Sequence, residues 1–210
     1  MFYTIIMLLI IGAVVAMVGT EGAWSAALML INTITAALLA MNFWEPLAAL
    51  GIGYSPGTEF FIDFFLLTSL FAIIVMVLRT ITDKLSRKRP LLPKLADTIG
   101  GFFLAAWTGW ILVCFFSVAL QTAPLARNFF GFEPEANNFI GLGPDRVWLG
   151  FTQRMSNGPL MPLTADTEDP AQTHVFDPRG EFIIKYATHR STYATPTSVE
   201  AGISGVMITE

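Results

Sequence analysis

The chain has 210 residues, of which 54% are hydrophobic and 13% charged, against roughly 25% charged in a soluble globular domain. With a mean hydropathy of +0.61, that balance excludes an ordinary soluble enzyme, a disordered chain and a coiled coil. The net charge of −4 leaves no basic footprint for nucleic acid, and the lone Cys114 excludes an internal disulfide.

Four apolar stretches follow one another, at about 2–19, 22–44, 60–79 and 97–121. A hydrocarbon core about 30 Å thick needs roughly 20 apolar residues as a helix. In lipid every backbone N–H and C=O must be paired within its own segment, so each stretch is expected to be a transmembrane helix. The first stretch does not read as a cleaved signal peptide: its leader, Met1-Phe2-Tyr3, is uncharged, and its apolar core is too long. The expected fold class is an all-α membrane protein. It has a four-span domain over 1–122 and a loop-rich extracytoplasmic C-terminal region over 123–210.

The basic residues set the expected orientation. Arg79, Lys84, Arg87, Lys88, Arg89 and Lys94 share one short connector between the third and fourth spans. Such a loop stays in the cytoplasm and is expected to anchor that end to anionic lipid. The connector between spans two and three carries Glu45 and Glu59 and no basic residue. Four spans then place both termini outside, which in a bacterium means the periplasmic side.

The C-terminal region differs in kind. It holds eight of the twelve prolines and ten of the sixteen acids. A short helix is expected from Pro144 to Ser156, because proline suits a first turn and Asn157-Gly158 suits an end. Val147, Trp148, Phe151 and Met155 fall on one face, with Trp148 and Phe151 expected at the membrane interface. Phe182 to Tyr186 reads as a short strand. The region offers too small a core to fold alone, so it is expected to lie on the membrane domain, pair with another chain or move.

Within the spans, Gly101, Ala105 and Gly109 recur every four residues on one helix face, widened by Gly100 and Ala106. Small residues let helix backbones approach closely in lipid, so the stripe is expected to pack in the bundle or between copies. Gly12 with Ala16, and Thr33 with Ala37, are shorter versions. Asn32 is expected to bond across helices. Asn32, Thr33, Thr35 and Thr108 could alternatively line a polar pathway. Asp63 reads as a boundary residue within reach of water. No acid or base lies at mid-span, which argues against a proton or ion pump. His174 and His189 lie fifteen apart and offer no metal-ligand spacing. Asp166, Glu168 and Asp169 read as a solvated acidic turn, and His174 with Asp177 as surface. No nucleophile elbow or phosphate loop occurs. The sequence therefore implies no catalytic residue, metal or cofactor.

The run Leu95-Ala96-Asp97-Thr98-Ile99-Gly100-Gly101-Phe102-Phe103-Leu104-Ala105-Ala106-Trp107-Thr108-Gly109 resembles the signature of the CvpA family, the colicin V production proteins. That signature has an Asp, a Gly four residues on, another Gly four further, then an Arg-Gly pair. Asp97, Gly101 and Gly109 keep it. Ala105 stands for the middle glycine and Thr108 for the arginine. The four-span layout over residues 1–125 agrees, with Pro124 closing the fourth span. The family's first turn usually carries basic residues. Here it is Gly19-Thr20-Glu21-Gly22, with none. The resemblance implies an integral inner-membrane protein needed for making or exporting a toxin peptide, or for envelope robustness, and brings no catalytic residue. Asp97 is expected to cap the fourth helix at its cytoplasmic end. The expected partners are the bilayer, a second copy or other membrane proteins, and no nucleic acid. The function read from this is a non-enzymatic accessory factor, with a small oligomeric channel or transporter, or a scaffold subunit of a larger membrane complex, as rivals.

Overall fold

A computed structural model describes residues 2–50, 59–86, 92–123, 125, 129–133, 136–156, 176–177 and 180–194. The described residues form six α-helices and no strand: α1 Phe2–Val18, α2 Ala23–Leu50, α3 Glu59–Leu85, α4 Lys94–Thr122, α5 Pro144–Ser156 and α6 Phe182–Ala194, with short 3-10 turns at Gly19–Glu21 and Phe129–Gly131. The first four are long and apolar enough to cross a membrane. At 1.5 Å per residue, the 28 residues of α2 reach about 42 Å. That exceeds the hydrocarbon core, so the helix ends project beyond it.

The central helix is α4, which packs against α1, α2, α3, α5 and α6. Its buried residues run from Gly101 to Thr122. α3 lies against α2 and exposes Phe65, Ile73, Met76 and Val77, apolar side chains suited to lipid. The bundle thus has a connector end, where the α1–α2 turn, the end of α3 and the start of α4 meet. The opposite end carries the N-terminus, the end of α4 and the C-terminal helices.

α5 has the expected bounds, but Trp148 does not sit at a membrane interface. It is 1% exposed and packs edge-on against Phe115 of α4. Trp148 shares with Asp145, Leu149, Thr152 and Ser156 the buried face of α5, which packs on α4. The expected strand at Phe182–Tyr186 is a correction: these residues open α6. Both Asp177 carboxylate oxygens accept backbone N–H groups, from Glu181 (2.8 Å) and Phe182 (3.1 Å), filling donors that a helix start leaves unpaired. Phe182, Tyr186 and Ala187 then bury one helical face. A short apolar run does not by itself distinguish strand from helix; the cap and the packing face decide it here. Asp166, Glu168, Asp169 and His174 lie outside the described residues, as do Arg87, Lys88 and Arg89.

Candidate functional site

The connector end holds the most closely interlocked part of the molecule. α1 ends in a 3-10 turn, and Gly22 follows with φ +93°, a conformation L side chains rarely adopt. The chain then enters α2 at Ala23, whose N–H donates to Asp97 Oδ1 of α4 at 2.8 Å. This corrects the expected role of Asp97. α4 begins at Lys94, so Asp97 lies inside its first turn, and its carboxylate caps α2. The N-terminus of α2 presents unpaired N–H groups and the positive end of the helix dipole, both favourable to a carboxylate.

Glycines make that approach possible. A Cβ on Gly22 would stand 2.7 Å from Asp97 Oδ2. One on Gly101, a turn further along α4, would stand 2.8 Å from the Gly19 carbonyl oxygen and 3.1 Å from the Gly22 carbonyl carbon. Gly19 in turn faces the Phe102 ring, 2.6 Å from where its Cβ would be. Further along α4, Ala105 is fully buried among Val14, Val18 and Ala26. A Cβ on Gly109 would lie 3.1 Å from the Ile11 Cα. Gly101, Ala105 and Gly109 thus face α1, the turn and α2 of the same chain. Gly100 meets Ala23, whereas Ala106 is exposed and lies off the contact face. Gly12 and Ala16 also face outward, and a Cβ on Gly12 would meet nothing within 4 Å.

Charge closes the same end from α3. Arg79 Nη2 donates to Glu21 Oε2 at 2.6 Å and to Ser25 Oγ at 3.2 Å, while its Nε donates to Asp83 at 3.0 Å. Ser25 Oγ also donates to Glu21. The acidic first turn is therefore matched by a guanidinium from another helix. Lys84 and Lys94 are exposed at the end of α3 and the start of α4. Asn32 of α2 bonds across to α3, donating to Thr82 Oγ1 at 2.9 Å, and Trp24 Nε1 donates to Ser86 Oγ at 2.6 Å. The hydroxyls of Thr33 and Thr108 donate to carbonyls one turn back in their own helices.

At the opposite end, Tyr3 and Ser117 hydroxyls lie 2.6 Å apart, and Ser117 donates to the Val113 carbonyl. Gln121 of α4 donates to Asp145 of α5 at 3.0 Å. Asp63 is half-buried at the start of α3 and accepts a long hydrogen bond, 3.4 Å, from Tyr186 of α6. Sequence reasoning did not single out Asp145 or Gln121. The signal was an acid at the second position of a helix whose inward face is apolar, with a glutamine at the end of an apolar span.

Fold and site define a multi-pass helical membrane protein whose α1–α2 turn is clamped onto α4 by a carboxylate and closely apposed glycines. The chain belongs to the colicin V production protein family: that family's model matches residues 3–134, spanning all four membrane helices and the Phe129–Gly131 turn. No curated protein and no solved structure matches the chain.

Proposed function

We propose that the protein is a non-enzymatic accessory factor of the bacterial inner membrane, serving colicin V-type toxin production or export, or upkeep of the envelope. One observation supports this above others. The residues that resemble the family signature, Asp97, Gly101 and Gly109, are engaged with other helices of the same chain. A carboxylate bonded to a helix N-terminus and glycines pressed against backbone support an architectural role for the signature.

The proposed orientation places Arg79, Lys84, Arg87, Lys88, Arg89 and Lys94 on the cytoplasmic side and both termini in the periplasm. The partners are the bilayer together with a second copy or other membrane proteins. The channel reading is less well supported, because Asn32, Thr33 and Thr108 direct hydrogen bonds to groups inside the bundle.

The test is deletion and complementation in cells that make a colicin V-type toxin. Loss of the chain is expected to lower exported toxin or raise envelope permeability, and the plasmid-borne chain to restore it. Unchanged export and permeability would overturn the proposal. Ion flux through purified protein in vesicles well above that of empty vesicles would overturn it in favour of a channel.

A further inference from the structure

α5 sits outside the family match, yet it buries an ionisable group where it meets the bundle. Asp145, Trp148, Leu149, Thr152 and Ser156 form its inward face, and Asp145 is 0% exposed. One carboxylate oxygen, Oδ2, accepts from Gln121 Nε2 at 3.0 Å. The other, Oδ1, has no hydrogen-bond partner among the described residues. Trp148 Nε1 and Thr152 Oγ1, on the same face, are likewise buried without one. Among the described residues, the groups whose charge couples to Asp145 are Tyr3, Cys114 and Arg146. Tyr3 of α1 and Cys114 of α4 are ordinarily uncharged near neutral pH. Arg146, its neighbour on α5, is exposed.

Gln121 and the N–H groups at the start of α5 compensate the charged form only in part for its removal from water, a cost the neutral acid does not carry. Protonation at Oδ1 turns an acceptor into a donor. The neutral acid can then donate as well as accept at this contact. We propose that Asp145 is a proton-binding site that seats α5 on α4, the neutral acid holding the C-terminal segment on the bundle and the carboxylate loosening it.

Burial raises the Asp145 carboxyl above its ordinary value, with Arg146, the helix-start N–H groups and Gln121 offsetting part of that rise. The docked state therefore retains a proton that the undocked state has lost. Docking is tightest below the ordinary aspartate value, about 3.9. It weakens by up to tenfold per pH unit as pH rises from there to the raised value, then levels off.

The experiment is hydrogen–deuterium exchange on the full chain in detergent micelles across this pH range, corrected for the intrinsic pH dependence of exchange. Protection of the 144–156 amides is expected to fall with rising pH. In Asp145→Asn, a neutral isostere, it is expected to stay flat. A flat profile in the unaltered chain, or the same slope in Asp145→Asn, would overturn the proposal. Carboxyl carbon NMR of the unaltered chain labelled at aspartate gives a second reading should the variant fold poorly. One aspartate is expected to titrate above the ordinary carboxylate range, and finding none would overturn the proposal.

Discussion

Replacing Gly101 with alanine adds one methyl group where, of the described glycines, a Cβ would come closest to backbone. The new Cβ would stand 2.8 Å from the Gly19 carbonyl oxygen and 3.1 and 3.3 Å from backbone atoms of Gly22 and Ala23. Carbon atoms in good contact lie at about 3.5–4.0 Å, so the turn must retreat by more than half an ångström. These neighbours are backbone and have no rotamer to change. The movement also draws Ala23 N–H away from Asp97. Overpacking of this kind costs about 1–3 kcal/mol, partly offset by the gain of about 1 kcal/mol when alanine replaces glycine in a helix. A net loss of up to about 2 kcal/mol is expected, which lowers a thermal midpoint by up to about 8 °C at 2–4 °C per kcal/mol for a chain of this size. Gly12→Ala is the control, since its Cβ would meet nothing within 4 Å; its midpoint is expected to hold or rise. Gly109→Ala, 3.1 Å from the Ile11 Cα, should fall between them. The assay is the thermal aggregation midpoint of each purified variant in detergent. Gly101→Ala matching the parent while Gly12→Ala falls would refute the packing argument.

Arg79→Ala and Glu21→Ala should show coupling of up to about 1 kcal/mol in a double-mutant cycle, the upper range for partly exposed pairs; additive effects would mean the pair contributes nothing. Phe182→Ala removes a side chain that is 6% exposed. Its expected cost is about 3 kcal/mol, read as faster protease cleavage in the α6 segment, and an unchanged cleavage rate would contradict the docking of that helix. With Cys114 replaced, a cysteine at Ser86 should resist a membrane-impermeant thiol reagent in cells whose outer membrane has been opened, while one at Ser191 should be labelled. The reverse pattern would overturn the orientation.

The four spans were legible because lipid imposes a simple requirement: long runs without charge must be helices. The spacing of Gly101, Ala105 and Gly109 marked one face of α4, since four residues advance close to a full turn. What periodicity could not supply was the partner. Asp97 looks like a cap for the helix that follows it, but a cap is defined by which N–H reaches the carboxylate, and here that N–H is 74 positions away in sequence. Small-residue pairs were equally ambiguous. Gly12 and Ala16 have the same spacing as Gly101 and Ala105 but face outward, because α1 turns its Tyr3, Met7, Val14 and Val18 face to the bundle. Of the C-terminal helices, α5 was legible in its bounds and α6 was not. Ile183 and Ile184 are β-branched and favour a strand locally, and tertiary burial of Phe182 and Tyr186 overrides them.

The central claim is that the signature residues serve architecture and that no side chain among them performs chemistry. It is tested most directly by export complementation with Asp97→Asn and Asp97→Ala at matched membrane abundance. Asparagine keeps an oxygen that can accept from Ala23 N–H; alanine removes it, at an expected cost of about 1 kcal/mol. The account predicts that Asp97→Asn restores export nearly as well as the parent, and that Asp97→Ala loses export in proportion to its lowered thermal midpoint. An Asp97→Asn protein that is as stable as the parent yet fails to restore export would contradict it, because the carboxylate's charge would then be acting on something other than the fold.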